Sequence, residues 1–249
     1  MIVLVTGATA GFGYAIAERF LSDGARVIAV GRRSERLEPL QARFGARLLA
    51  RALDVRDRAA VERTVAELPP EFAEIDLLVN NAGLALGLDP AYKASVDEWE
   101  TMVDTNVKGL LYTTHAVLAG MVQRNRGHVV NLGSVAGEFP YPGGNVYGGT
   151  KAFVHQFSLN LRADLLGTNV RVSVIEPGMV GGTEFTQVRL RGDAAKATAF
   201  YEKANPLTPE DIAETVHWVA NRPPHVNINT ISLMPVSQAF AALAVSREP

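Results

Sequence analysis

Two kinds of segment alternate along this chain. Short apolar runs rich in Val, Ile and Leu fall at residues 2–5, 26–30, 47–53, 75–79, 128–132 and 169–175. Runs of that length without strict polar alternation read as strands buried on both faces. Between them, apolar positions recur at helical spacing over residues 14–21, 34–44 and 57–68, and again from Ser95 to a long helix ending near Arg124. The helix boundaries are marked in the text of the chain. Ser95-Val-Asp-Glu98 has the form of a capping box, and Thr208-Pro209-Glu-Asp211 combines a capping residue, a first-turn proline and two acids. Asp23-Gly24 and Pro69-Pro70 close earlier helices. Strand and helix in alternation predict an α/β fold, a doubly wound parallel sheet with right-handed crossovers and helices on both faces, hence three layers α/β/α. No repeat period or linker interrupts the pattern, so one domain is expected over residues 1–249. Residues 184–206 lose the periodicity and are rich in Arg and Lys; with the preceding loop, 179–206, they read as a lid over a substrate. The apolar stretch 231–245, inside a C-terminal segment 226–249, is expected to cover the sheet edge or to dock a neighbouring subunit.

Composition narrows the functional classes. A chain of 249 residues buries a sizeable core. A net charge of -2 with mixed signs gives no long-range field for nucleic acid. No dense Lys/Arg block points to a membrane surface, and no apolar run approaches the roughly 20 residues of a membrane span. With no cysteine, disulfides and thiolate metal sites are excluded, and no metal is expected. The N-terminus enters an apolar strand without a basic leader, so a cytoplasmic protein acting on small molecules is the expectation.

The chemistry concentrates in two places. The first strand runs into Thr6-Gly7-Ala-Thr-Ala-Gly11-Phe-Gly13 and then a helix. In that order Gly7 takes a tight turn, Gly11 lets backbone approach a pyrophosphate, and Gly13 allows close helix packing, with helix N-terminal amides facing the phosphates. Where dinucleotide folds place an acid for a free ribose 2'-hydroxyl, at the end of the second strand, this chain has Gly31 followed by Arg32 and Arg33. No carboxylate repels a 2'-phosphate there, and two guanidinium groups can fork onto one, which predicts NADP over NAD. Asp54, with Val55 after it, ends the third strand and is placed to accept from an adenine amino group. Asn80-Asn81-Ala82-Gly83 ends the fourth and reads as a floor under a nucleotide sugar.

The second place is Ser134, Tyr147 and Lys151. A four-residue step stacks Tyr147 and Lys151 on one helical face. A phenol ordinarily has a pKa of about 10, and a cation about 4 Å away at an effective dielectric of about 20 contributes about 4 kcal/mol. Lys151 is thus expected to pull Tyr147 toward use as a general base. Ser134 stands at the C-terminal end of the fifth strand, on the edge where open α/β sheets place ligands. Asn106 lies within a helix, where its propensity is poor, and an amide bridging to an ordered water would explain it. Gly148 and Gly149 inside the Tyr147 helix are read as room for close packing. Pro177-Gly178 breaks the sixth strand so that backbone can lie along a nicotinamide, and Thr183 is placed to bond its carboxamide or a phosphate.

These residues together resemble the short-chain dehydrogenase/reductase family over nearly the whole length, through Thr6-Gly7-x-x-x-Gly11-x-Gly13, Asn80-Asn81-Ala82-Gly83, Asn106, Ser134, Tyr147-x-x-x-Lys151 and Pro177-Gly178. Within it the chain is most similar to bacterial NADP-dependent 3-hydroxy acid dehydrogenases, in Gly31-Arg32-Arg33, residues 80–86, Gly143-Gly-Asn-Val-Tyr147 and His225-Val-Asn-Ile-Asn229. The resemblance implies a Rossmann-type fold, a homotetramer, and a catalytic set of Asn106, Ser134, Tyr147 and Lys151. Tyr147 would be the general base or acid, Lys151 would lower its pKa and hold the ribose, Ser134 would bond the substrate oxygen, and Asn106 would fix a relay water. Ser134 and Tyr147 are the expected substrate contacts. The expected cofactor contacts are Gly7, Ala8, Thr9, Ala10, Gly11, Phe12 and Gly13 in the first turn, then Arg32, Arg33, Asp54, Val55, Asn81, Ala82, Gly83, Tyr147, Lys151, Pro177, Gly178, Val180 and Thr183. The loop Met179-Val-Gly-Gly-Thr183 carries one glycine more than the commonest family pattern.

The substrates so implied are serine, allo-threonine and 3-hydroxypropionate, with malonic semialdehyde in reverse. Arg189, Arg191 and Lys196 are candidates to meet the carboxylate. Two alternatives stand beside this: a reductase of larger ketones or 3-oxoacyl thioesters with the same machinery, and a catalytically silent NADP-binding interaction protein, which the complete Asn, Ser, Tyr and Lys set argues against.

Overall fold

The apolar runs form strands β1 (Ile2–Thr6), β2 (Arg26–Gly31), β3 (Leu48–Ala52), β4 (Leu77–Asn80), β5 (Gly127–Leu132) and β6 (Val170–Pro177), and a further strand, β7 (Thr230–Leu233), follows. They pair in parallel as one sheet in the order β3-β2-β1-β4-β5-β6-β7, in a computed structural model that describes residues 1–240. The helices are α1 (Gly11–Ser22), α2 (Glu38–Phe44), α3 (Arg58–Ala66), α4 (Val96–Val103), α5 (Leu110–Gln123), α6 (Asn145–Asp164), α7 (Phe185–Arg189), α8 (Ala194–Tyr201) and α9 (Pro209–Ala220).

Continuous apolar runs are needed because both faces of the sheet are covered. Val3, Val5, Val27 and Ala29 point to one face, where Ile16 and Phe20 of α1 and Ile212 and Val216 of α9 close over them. Leu4, Ile28 and Val30, one position out of phase, meet Val61 of α3, Val117 and Met121 of α5 and Leu161 of α6 on the other. The three-layer α/β/α architecture follows from that period of two. From β1 the chain steps outward through β2 to β3, then returns to place β4 on the other flank of β1. The reversal between β1 and β4 opens the crevice in which ligands of such sheets bind.

Several boundaries differ from the sequence reading, each for a local reason. The expected helix over 34–44 begins as a 3-10 turn, Ser34–Leu37, because Pro39 fits only the first turn of an α-helix and so fixes the start of α2 at Glu38. Ser95 caps α4 by accepting from the Glu98 amide, but the Glu98 carboxylate is drawn to Arg191 at 2.8 Å. At Thr208 the full reciprocal box forms. Residues 184–206, read as an irregular lid, carry the two short helices α7 and α8. Thr230-Ile-Ser-Leu233 alternates exposed and half-buried positions and adds β7 beside β6 at the sheet edge; the remainder of the expected apolar segment, from position 241 on, lies outside the described residues. Among the described residues no helix is long and apolar enough to cross a membrane.

Candidate active site

The glycine turn is built by close approach. Gly7 and Gly11 adopt φ values of +65° and +51°, which L side chains rarely take. A Cβ on Gly13 would lie 2.3 Å from the Gly7 carbonyl oxygen and 2.5 Å from Asn81 Nδ2, so α1 can begin against the turn only with glycine there. Asn81 Nδ2 donates to the carbonyls of Thr6 at 2.9 Å and Gly7 at 3.2 Å. The Thr6 hydroxyl in turn accepts from the amides of Asn81 and Ala82, both at 3.0 Å. The Asn81 amide, expected beneath a sugar, therefore braces the turn across the β1/β4 reversal. Thr6 heads the glycine motif without a role of its own in the sequence; the hydroxyl at a strand end just before the first glycine is the signal that marks it.

Above the turn lies a cavity of about 250 Å³ lined by Gly7, Thr9, Ala10, Gly11 and Phe12 from the turn, Arg32, Arg33, Asp54 and Val55 from the ends of β2 and β3, and Asn81, Ala82 and Gly83 from β4. Tyr147 and Lys151 line it as well, and Thr183 stands over the turn itself, with its Cγ2 3.3 Å from where a Cβ on Gly11 would lie. Ala8 is instead fully buried beneath the turn. Pro177, Gly178 and Val180 line the adjoining chamber rather than this cavity.

The adenosine end fits a phosphorylated ribose. A Cβ at Gly31 would sit 2.7 Å from Thr9 Cγ2, so an acidic side chain has no room where a free 2'-hydroxyl would be read. Arg32 makes no ion pair or side-chain hydrogen bond among the described residues, while Arg33 pairs with Glu184 at 2.7 Å and Arg36 meets the same carboxylate at 2.6 Å. These bonds from Arg36 and Arg33 hold the Glu184 carboxyl below its ordinary range. Asp54 is likewise engaged, by Arg56 at 2.6 Å, and a hydrogen bond from Arg56 keeps its carboxyl low. Arg32 is thus the arginine at this end of the cleft that no carboxylate holds in an ion pair among the described residues, although its charge reaches Asp54.

At the other end the two side chains of α6 are buried together. Tyr147 is 8% exposed and Lys151 7%. Lys151 Nζ donates to the Leu132 carbonyl at 2.8 Å and lies 5.9 Å from the centre of the Tyr147 ring. The expected depression of the phenol by Lys151 is outweighed by the burial of both groups. Burial pushes Tyr147 up to about 12, against the neighbouring Ser134 hydroxyl and the charge of Arg189, which pull it down. Burial also pushes Lys151 down to about 8. The reason is geometric: the ammonium is aimed at a carbonyl of β5, and desolvation of both groups exceeds their attraction.

Ser134 follows β5 in extended conformation; its Oγ accepts from the Ala136 amide at 3.1 Å and donates to the Pro177 carbonyl at 3.4 Å. Asn106 sits in a π-helical stretch, Asp104–Gly109, between α4 and α5. Its Nδ2 donates to the Leu84 carbonyl at 2.8 Å and to Thr150 Oγ1 at 3.0 Å, and its Oδ1 accepts from the Leu84 amide at 2.8 Å. The side chain therefore clamps the segment after β4 to α6. Thr150, its partner, was not singled out, although it stands three positions after Tyr147 on the same helical face. A Cβ on Gly83 would lie 3.2 Å from Asn106 Oδ1 and 3.6 Å from Lys151 Nζ, so glycine lets these groups crowd together. Of the paired glycines in α6, Gly148 has the packing reason expected, with its would-be Cβ 2.9 Å from the Ala136 carbonyl oxygen. Gly149 has none: nothing stands within 4 Å of its would-be Cβ.

A second chamber of about 480 Å³ opens on the opposite side of Tyr147, under α7 and α8. Phe12, Gly133, Tyr147, Thr183 and Phe185 line both it and the cleft, so the two spaces meet at the phenol. Leu88, Phe139, Met179 and Phe200 give the chamber apolar walls, and Ser134, Tyr141 and Arg189 add polar groups.

Residues 1–193 match the family model described as short chain dehydrogenase. The NADP-dependent 3-hydroxy acid dehydrogenase YdfG of Salmonella typhi is 65% identical over 247 residues, 99% of this chain and 100% of that one. A serine 3-dehydrogenase of Rhizobium radiobacter is 54% identical over 246 residues, 99% of this chain and 98% of its own. A serine dehydrogenase solved in its closed form with NADP+ superposes with a TM-score of 0.98 at 62% identity, each chain covered over 100%. With its glycine turn, its buried Tyr147 and Lys151 and likeness along its whole length, this chain belongs to the short-chain dehydrogenase family.

Proposed function

We propose that this chain is an NADP-dependent dehydrogenase of small 3-hydroxy acids, with serine, allo-threonine and 3-hydroxypropionate as substrates and 3-oxo acids or semialdehydes reduced in the reverse direction. The observation that carries the reading is that one phenol, Tyr147, walls both the glycine-turn cleft and the polar-ended chamber. A cofactor in the first space and a hydroxy acid in the second meet at its oxygen. NADP, when bound, supplies the acceptor or donor of the hydride.

The protein residues divide the remaining work. Tyr147 takes the hydroxyl proton in oxidation and returns it to the carbonyl oxygen in reduction. Ser134, on the same chamber wall as that phenol, holds the reacting oxygen. Lys151, buried with no carboxylate partner among the described residues, presents positive charge below the phenol and a donor toward the ribose. Asn106 and Thr150 fix the segment after β4 against α6, which keeps Gly83 and Lys151 in place. Arg32 and Arg33 receive the 2'-phosphate. The chain as a cytoplasmic homotetramer is part of the same reading; on α6 an exposed Phe153 stacks at 5.8 Å on Phe157, which is half-buried against the core, and leaves one aromatic ring at the surface for an assembled face.

Size and apolar walls of the chamber favour a second reading, reduction of bulkier ketones by the same residues. A spectrophotometric NADPH panel over small hydroxy acids, oxo acids and ketones separates the two. Turnover of serine and 3-hydroxypropionate supports the first reading; turnover of large ketones alone replaces it with the second. Tyr147→Phe is expected to lower kcat by at least about 100-fold while NADPH binding, followed by fluorescence, is retained. Wild-type activity in that variant sinks the proposed chemistry.

A further inference from the structure

The chamber beyond Tyr147 holds a single charged side chain among the described residues, Arg189, at the end of α7. Its surroundings are neutral. Nη2 donates to the Tyr141 hydroxyl at 2.7 Å and to the Gly143 carbonyl at 3.5 Å, and Nε donates to the Gly87 carbonyl at 3.3 Å. The guanidinium carbon lies 5.2 Å from the centre of the Tyr141 ring and 5.5 Å from that of Tyr147. Two aromatic faces and three neutral acceptors fix its plane, yet none supplies a counter-charge. The other lid cations offered for the carboxylate are already spent: Arg191 pairs with Glu98 at 2.8 Å and Asp89 at 3.0 Å, and Lys196 with Asp193 at 3.1 Å.

A half-buried guanidinium held by neutral groups retains full charge and gains from an incoming anion. Nη1 makes no hydrogen bond among the described residues, and the Tyr141 hydroxyl, which accepts from Nη2, keeps its own hydrogen to donate. Those two groups offer a two-point cradle for a carboxylate. It lies beside the ring of Tyr147, and a 3-hydroxy acid places its carboxylate two carbons from the carbinol that Tyr147 would deprotonate.

We propose that Arg189, with the Tyr141 hydroxyl beside it, is the carboxylate anchor of the chamber and selects hydroxy acids over neutral alcohols and ketones. This rests on the hydroxy acid reading above and names the residues that enforce it. The rival role for Arg189 is through Tyr147, whose ionisation its charge favours. The two roles separate by substrate: an effect on the phenol acts on acid and neutral substrates alike, whereas an anchor acts on the acid alone.

The test compares 3-hydroxypropionate with its methyl ester in the wild type and in Arg189→Met, Arg189→Lys and Tyr141→Phe. NADPH binding by fluorescence confirms that each variant is folded. Arg189→Met is expected to lower kcat/KM for the acid on the order of 100-fold more than for the ester, mostly through KM, with any loss shared by the two substrates reporting the effect on the phenol. Arg189→Lys restores part of the loss, and Tyr141→Phe lowers only the acid, by several-fold. Malonate, an unreactive carboxylate competing with the acid in the wild type, loses its inhibition in Arg189→Met. Equal losses on acid and ester, or none on either, overturn the anchor. If Arg189→Met does not retain NADPH, the Tyr141→Phe comparison decides in the same way. A wild type that turns over the ester and not the acid removes the hydroxy acid reading itself, whereas a wild type active on the acid with Arg189→Met unaffected removes only the anchor.

Discussion

Under the chemistry proposed above, the raised pKa of the buried Tyr147, about 12, gives the site a pH response. A phenol raised by burial is protonated at neutral pH, which is the state needed to donate a proton during carbonyl reduction and the wrong state for oxidation. Oxidation of a hydroxy acid is therefore expected to accelerate as pH rises through 7 to 10, by up to about tenfold per unit before other groups titrate. Reduction is expected to hold level or fall over the same range. Steady-state kcat/KM profiles in both directions check this, and an oxidation rate that is flat or falls across that interval contradicts it. At the adenosine end the residues predict a cofactor preference. Arg32, in no ion pair among the described residues, and Arg33, shared with Glu184, face the place where Gly31 leaves no room for an acid. Arg32→Ala is expected to raise KM for NADP about tenfold or more while leaving KM for NAD nearly unchanged, since the lost contact meets only the phosphate. Equal effects on the two cofactors would show that Arg32 is a surface charge.

Elements turn single residues into geometry, and here the glycines of α1 and α6 make opposite predictions. Gly13→Ala would drive a methyl to 2.3 Å from the Gly7 carbonyl oxygen, so α1 must move off the turn. Cofactor binding is expected to be lost before overall stability. Gly149→Ala meets nothing within 4 Å and is expected to stabilise α6 by up to about 1 kcal/mol, read as a raised midpoint in urea unfolding; a lowered midpoint would reveal packing on that face. The same elements show what could be read from the chain. The first six strands were legible because burial on both faces leaves uninterrupted apolar runs, and Gly7, Gly11 and Gly13 were legible because only glycine satisfies their turn. Strand β7 is short, half exposed and alternating, so its pairing comes from the neighbouring β6 more than from its own residues. Helices α7 and α8 read as loop because α7 is only five residues long and α8 buries none of its residues, so neither carries an amphipathic period. Asn81 and Asp54 were legible as residues at strand ends, but their partners, the Thr6 and Gly7 carbonyls and Arg56, depend on distances that spacing does not contain. Arg189 stood among three candidate cations until the positions of Glu98, Asp89 and Asp193 separated it from the others.

At the scale of the whole molecule, the sheet buries a histidine that ties folding to pH. His128 lies on β5, flanked by β4 and β6, and is 3% exposed. One ring nitrogen meets Ser173 on β6 at 2.8 Å, and the other has no partner among the described residues. Burial, with a smaller contribution from the charge of Arg171, lowers its pKa from 6.5 to about 3. The folded chain thus holds His128 neutral where the unfolded chain protonates it. Between pH 6.5 and 3 the unfolded state binds the extra proton, so the stability from a neutral His128 is full above 6.5 and is lost progressively as pH falls. Protonation at this depth requires the central strands to separate, so the loss appears as cooperative unfolding of the sheet and not as a local change. His128→Gln keeps a hydrogen-bonding group for Ser173 and removes the titration. Urea unfolding at a series of pH values is expected to show a shallower decline for the variant across that window, by up to about 1.4 kcal/mol per pH unit. Carboxylates elsewhere give both proteins the same background slope, so the difference between the two curves isolates His128. Parallel curves would mean that the histidine is already protonated in the folded sheet or that its charge finds a partner there.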